Sequence, residues 1–431
     1  MSDDADRLDA WRRLADPAAG SLLADADALI TAGITPAGIA GLRRRHPDAP
    51  VPEAIELAEA RRRGEAKFPD AARLLVDRHG VEQATSDLVA TWKAARFGDR
   101  PVLDLCCGVG GDAIALARRG PCVGVDLDPV RAFMTARNAG IATRVAAVEE
   151  TPLDAPLVHL DPARRDESSG RRSWRLEDLR PGVDVIRRIV GEVAGAAIKL
   201  GPGLPLPAPS WHERQSISVV AEHGRLVQAI VWTGDLARAA PCEAVDLPSG
   251  RTIEGDPSPW SLAADGIGET IIEMHPAVER LGLGPVALAA ALGIDATELA
   301  ATHGEIAAGL GLVTGPAGPI GDTDPTSGAR WFRAVRVLET LPARLDRVES
   351  ALRRILDELG DELGPRELVV RTRGRAIETD AWTRRLGPVA RAGAETGREL
   401  VGTIEVGGWR VGRRLLATIA VPMTQGDQSA P

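Results

Sequence analysis

Apolar positions near the start of the chain recur at helical spacing: Leu8, Trp11 and Leu14 fall on one face, and PEAIELAEARRR repeats the period. Residues 1–67 therefore read as a charged helical segment. From Phe68 the pattern changes to short apolar runs alternating with amphipathic stretches, the sequence form of a parallel sheet with crossover helices. DLVATWKAARF is a helix that Thr85 or Ser86 can cap, VLDL at 102–105 is a short buried strand, 114–119 is a helix, and 122–125 is the next strand. Asp128 and Pro129 give an N-cap acid followed by proline at the first helical position, and Gly140 ends that helix. The run 157–160 is another strand and ends at Asp161; a helix over 183–193 leads into the strand AAIKL and the loop GPGLPLPAP. In SISVVAEHGRLVQAIVWTG two strand-like runs flank EHGR, which predicts a β-hairpin.

Residues 236–327 mix a strand and alanine-rich helices with VTGPAGPIGDTDPTSG, whose Gly/Pro content is that of a linker. The regular pattern then resumes as strand, helix, strand, helix and two strands split by Gly407 and Gly408. This βαβαββ order over 328–424 points to a ferredoxin-like α+β domain, and 425–431 reads as a disordered tail. The expected domains are thus 1–67, a sheet domain at 68–235, a connecting region at 236–327, and 328–424. No internal repeat is visible.

Composition narrows the function classes. A length of 431 residues suits about two to four domains. Hydrophobic residues make up 44% and charged ones 26%, as in ordinary soluble proteins, but aromatics are only 3% and tyrosine is absent, so the cores must come from Leu, Val, Ile and Ala. A net charge of -9 excludes a protein that coats nucleic acid over its whole surface and leaves room for a local basic face. MSDDADRLDAWRRL has neither the basic nor the apolar region of a leader, and no apolar run is long enough to span a bilayer, so a cytoplasmic location without membrane contact is expected. Cys106, Cys107, Cys122 and Cys242 have no CxxC spacing and read as small buried thiols, with no metal ligand set expected.

The stretch VLDLCCGVGGDAIALARRGPCVGVDLDP carries the chemistry. Gly108, Gly110 and Ala113 satisfy G-x-G-x-x-G/A, and Asp126 or Asp128 stands near the distance of a ribose-binding acid, so the loop alone permits NAD. Asp104, four residues before the first glycine, moves the balance toward S-adenosylmethionine. A carboxylate there would repel a pyrophosphate lying on the helix N-terminus, whereas a sulfonium ligand with a free ammonium reverses the preference. Asp126 at the tip of the second strand can accept both ribose hydroxyls of either cofactor. The hairpin after AAIKL discriminates best, because dinucleotide folds normally continue with parallel units.

These residues resemble the class I S-adenosylmethionine-dependent methyltransferases. Within that superfamily, EQATSDLVATWKAARF, DLCCGVGGDAIALA and GVDLDPVRAFMTARNA are similar to the trimethylguanosine-synthase-like branch, and more closely to bacterial methyltransferases with a C-terminal THUMP-like domain. The resemblance implies a Rossmann-like α/β sheet, parallel with a terminal antiparallel hairpin, behind an N-terminal helical segment and before a THUMP-like domain. It also implies that Asp104, Gly108, Gly110 and Gly111 line the methionine end of S-adenosylmethionine, that Asp126 binds the ribose, and that Leu127 lies along the adenine. Glu149 or Glu150 would meet the adenine amino group, and Thr85 and Ser86 would reach the cofactor carboxylate or simply cap their helix.

LDPARR stands where amino-methyltransferases carry Asp/Asn-Pro-Pro-aromatic. Asp161 is the candidate acceptor of the target NH₂ hydrogens, with Pro162 and Arg164 beside it; Ala163 replaces the second proline and Arg164 the aromatic ring. Cys242 lies outside the usual context of a nucleophilic cysteine. Arginines 164, 165, 171, 172 and 175, interleaved with Trp174, form a loop able to grip phosphates and stack a base. From Arg366 to Arg414 there are 11 arginines against 6 acids, a local excess of five in an acidic chain. The expected activity is methylation of a nucleotide in RNA; the alternatives are a non-catalytic RNA-binding protein that keeps the fold, and a methyltransferase for a small molecule or a protein.

Overall fold

The computed structural model describes residues 2–164, 176–260, 262–307, 309–316, 331–358, 366–391 and 402–423. The arginine-rich loop at 165–175, the side chain of Arg164, most of the linker and the C-terminal tail lie outside the described residues. Two compact units divide the chain, Met1–Pro241 and Cys242–Pro431.

In the first unit, helices Ser2–Leu14, Gly20–Ala32, Pro36–Arg45 and Val51–Gly64 bury Trp11, Leu42, Leu57 and their neighbours. The same core contains Val109, Val130 and Met134, so the helical segment packs on the helix Pro129–Ala139 and shares its apolar interior. The strands are β1 (Val102–Leu105), β2 (Cys122–Asp126), β3 (Ala142–Val145), β4 (Leu157–Leu160), β5 (Ala163–Arg164), β6 (Leu179–Arg180), β7 (Gly195–Leu200), β8 (Gln215–Glu222) and β9 (Arg225–Gly234). Their sheet runs β8-β9-β7-β4-β1-β2-β3, while β5 and β6 pair separately. The pairs β1–β2, β1–β4, β2–β3 and β4–β7 are parallel, whereas β9 is antiparallel to both β7 and β8. This is the expected parallel sheet closed by an antiparallel hairpin.

Every residue of β1 and β4 is buried, as in a sheet covered on both faces. Two of those buried residues are nevertheless polar, Asp104 and His159, and they are direct partners in the register. Side chains alternate along a strand, so His159 and Asp161 share one face; Leu160 pairs with Ile198, which puts Lys199 on the rung beside Asp161.

In the second unit, β10 (Cys242–Leu247) and β11 (Arg251–Gly255) form an antiparallel pair. Strands β12 (Thr270–Met274), β13 (Gly304–Glu305), β14 (Leu312–Gly315), β15 (Phe332–Pro342), β16 (Arg366–Thr372), β17 (Gly402–Val411) and β18 (Arg414–Pro422) form a second sheet in the order β13-β14-β12-β15-β18-β17-β16. Helices Leu345–Glu358 and Thr379–Ala390 cover one face, where Leu352, Ile355 and Leu386 meet Ile404, Val406 and Ile419.

The expected ferredoxin-like arrangement is corrected here. A ferredoxin-like unit is βαββαβ with a split βαβ, but β16 and β17 are adjacent and parallel, an unsplit βαβ, and β18 lies between β17 and β15. The helix Thr379–Ala390 thus connects two strands that pair directly, with none between them. Strands from 270–315 continue the same sheet past β15, which makes part of the expected connecting region integral to this unit. No single helix among the described residues is long and apolar enough to cross a membrane.

Candidate active site

The site is built at the carboxyl ends of β1, β2, β4 and β7. After β1 the chain turns through Cys106 (φ 61°), Gly108 (φ 57°) and Gly110 (φ 88°), left-handed values that glycine adopts without strain. Both oxygens of Asp126 fasten this turn: Oδ2 accepts from the Gly108 amide at 2.9 Å and Oδ1 from the Asp128 amide at 3.0 Å. The Thr135 hydroxyl donates to the Gly108 carbonyl at 2.8 Å. A Cβ on Gly111 would stand 3.1 Å from both the backbone nitrogen and the carbonyl oxygen of Thr85, so the helix Gly111–Ala117 begins in close contact with 84–86.

A cavity of about 1280 Å³ opens over these strand ends. Thr85, Ser86, Asp104, Gly108, Gly111, Asp126, Leu127, Glu149, Asp161 and Pro162 line it. Of the two acids after β3, Glu149 reaches the wall, and its carbonyl accepts from Arg188 at 3.0 Å. Leu127 is 72% exposed, a large apolar side chain held at the cavity beside Asp126. Gly110 is the exception: it is not part of the wall, and a Cβ there would meet the Thr135 Cα at 3.3 Å, so its place is inside the turn.

A buried polar network forms part of the cavity wall. Asp104 Oδ1 accepts from His159 Nδ1 at 2.6 Å, while Oδ2, also buried, has no hydrogen-bond partner among the described residues. The Lys93 ammonium is 3.0 Å from His159 Nε2 and 2.7 Å from Asp112 Oδ1. With Lys93 donating to Nε2, the ring proton belongs on Nδ1, an assignment that follows from the bonding pattern. Thr85 donates to Asp112 Oδ2 at 2.7 Å and accepts from Gln228 Nε2 at 3.0 Å. Thr85 therefore braces the network, while the helix Asp87–Ala94 is capped by Ser86, whose hydroxyl also donates to Glu222 at 2.8 Å.

Burial sets the ionisation of this group. It pushes the Asp104 carboxyl above the usual carboxylate range, against the pull of His159, and lowers Lys93 below an ordinary lysine, against Asp112. For Asp112 burial acts upward too, but Lys93, His159 and Lys199 overcome it and hold the carboxyl well below its ordinary value. The thiols of Cys106, Cys107 and Cys122 are pushed up by burial, away from reactivity.

At the end of β4, the Asp161 amide donates to the Leu105 carbonyl at 3.2 Å, which ties the tips of β4 and β1 together. Asp161 Oδ2 accepts from Lys199 Nζ at 2.6 Å, leaving Oδ1 without a hydrogen-bond partner among the described residues. Pro162 is buried, and the short β5–β6 pair follows. The arrangement offers a buried acid for an ammonium, a carboxylate and an exposed leucine for a ribose and a flat ring, and a second carboxylate at the cavity for an acceptor. Lys93, Asp112, His159, Lys199 and Gln228 were not singled out from sequence. The available signal was a charged or imidazole side chain inside otherwise apolar strands, in LVHL and AAIKL.

No family model matches the chain. It is 29% identical over 355 residues to uncharacterized S-adenosylmethionine-dependent methyltransferases of Mycobacterium tuberculosis strains CDC 1551 and H37Rv, covering 78% of this chain and 88% of each relative. Among solved structures, a candidate methyltransferase from Porphyromonas gingivalis W83 superimposes with a TM-score of 0.59 at 17% identity, over 88% of this chain and 92% of that one. That likeness establishes a shared fold.

Proposed function

We propose that this chain is an S-adenosylmethionine-dependent methyltransferase whose acceptor is a nucleotide of RNA. The observation that carries the reading is the pair of carboxylates in one cavity: Asp104, with an unpartnered buried oxygen, and Asp161, held by Lys199 at the next strand tip. The fold shared with the Porphyromonas structure and the cofactor in the names of the mycobacterial relatives support S-adenosylmethionine.

The residues suit that cofactor. Asp104 Oδ2 is a buried acceptor for its ammonium, each Asp126 oxygen retains a lone pair for a ribose hydroxyl, and Leu127 gives the adenine an apolar surface. When bound, it supplies a methyl group activated on a sulfonium. The protein's own contribution is alignment: Asp161 orients the acceptor hydrogens for in-line displacement, and Pro162 stiffens the chain behind it.

The RNA part rests on local positive charge in the second unit. Arg375, Arg384, Arg391, Arg410 and Arg413 are exposed and make no ion pair among the described residues, so they are available for phosphates.

Tritiated methyl transfer into total RNA, DNA and protein from a strain lacking the gene tests the proposal. Label in RNA is expected, and label in protein alone would overturn the substrate. Asp161→Ala is expected to abolish transfer with calorimetric S-adenosylmethionine affinity within about twofold of wild type; full activity would remove Asp161 from the mechanism. Failure of the wild type to bind S-adenosylmethionine would overturn the reading as a whole.

A further inference from the structure

Lys199 is a lysine in an apolar strand, 12% exposed at the side chain, and lines the cavity at the end of β7. Its Nζ lies 2.6 Å from Asp161 Oδ2, and Asp161 is itself only 35% exposed. We propose that Lys199 is a positioning residue for methyl transfer: by donating to one oxygen of Asp161 it fixes the carboxylate so that Oδ1 presents a single, oriented lone-pair set to the acceptor. This inference rests on the methyltransferase reading and adds to it a residue that neither the sequence motif nor the relatives' names assign.

Stability alone does not account for the pair. Two charges withdrawn from water contribute little net stabilisation, and an apolar pair of similar size at the ends of β4 and β7 would serve the sheet at least as well. Position supplies the reason. Asp161 stands one residue past β4, its amide tied to Leu105, and Lys199 occupies the adjacent rung of the parallel partner, so the ammonium fixes the carboxylate from the side. Burial lowers the Lys199 ammonium, but Asp161 and Asp112 more than offset this and hold it above an ordinary lysine, so the donor is charged at neutral pH. The Lys199 ammonium occupies Oδ2 and leaves Oδ1 as a hydrogen-bond acceptor, which suits an acceptor group that brings its own hydrogens, such as an amine.

The test uses the full chain and whichever acceptor takes up tritiated methyl. Lys199→Met is expected to lower kcat about 100-fold, the scale of a misplaced reacting group, with S-adenosylmethionine affinity by calorimetry within about twofold of wild type. Lys199→Arg should recover part of the lost rate, because it restores a cationic donor, whereas Lys199→Gln should recover less. Placed in an Asp161→Asn background, Lys199→Met should cost nothing further.

Wild-type kcat in Lys199→Met would overturn the inference, and so would losses that multiply in the double variant. Loss of cofactor binding and of melting temperature in all three variants would make Lys199 a structural residue and overturn it too. Absence of any transfer by the wild type would instead overturn the methyltransferase reading beneath it.

Discussion

Asp104 decides what the glycine turn can hold. Its Oδ1 is taken by His159 and its Oδ2 is left over in a place with almost no solvent, so an incoming cation meets an acceptor that has already lost its water. Asp104→Asn keeps the shape and removes the charge; we expect weaker S-adenosylmethionine binding by about 2 kcal/mol, roughly 30-fold in Kd by calorimetry. An affinity within twofold of wild type would mean that the ammonium is held elsewhere. The cysteines next door are spectators by comparison. Burial pushes the thiols of Cys106 and Cys107 up, away from the thiolate form, and raises that of Cys242, in the second unit, to about 11.

At the scale of elements, the turn between β1 and the helix Gly111–Ala117 is the stiffest demand on the sequence. Gly110→Ala must place a Cβ at φ 88° against Thr135; a stability loss of about 1–2 kcal/mol in urea denaturation is expected, and an unchanged midpoint would show that the turn relaxes. This turn was also the most legible part of the chain, because Asp104, Gly108, Gly111 and Asp126 are spaced within a single βαβ unit and meet at one cavity. Asp161 could be placed there from its position at the end of an apolar strand, in LDPARR. What could not be read were partners joined only by the fold: Lys199 reaches Asp161 across a strand pair, and Gln228 reaches Thr85 from β9. Periodicity gave the strands of 328–424 and one strand before them, with the last two divided at Gly412 and not at Gly407-Gly408, but it gave neither β10, β11, β13 and β14 nor any strand's neighbours. Whether β18 inserts between β15 and β17 depends on which edges the helices leave open, and a one-dimensional pattern carries no record of edges.

At the scale of the molecule, the chain divides into two compact units, and each holds an apolar cluster of its own. Calorimetry should therefore resolve more than one unfolding transition, and S-adenosylmethionine at about 100 times its Kd should stabilise the cofactor-binding unit alone, by about 2.7 kcal/mol. Leu352, fully buried under the second sheet, gives the complementary probe: Leu352→Ala should destabilise the other transition by about 2–5 kcal/mol and leave the ligand-sensitive one in place. One transition moved by both perturbations would make the chain a single cooperative body.

The bonds from Thr85 to Gln228 and from Ser86 to Glu222 span 143 and 136 positions of the chain. During synthesis, the ribosome delivers Asp104 and the glycine turn long before it delivers β9. At about 5–20 residues per second, Thr85 waits on the order of 10 s for its last partner. Until then the floor of the pocket has polar groups without mates, and the nascent chain has the signature of a cofactor site without its closing wall. The site as described is complete only once β8 and β9 have left the ribosome.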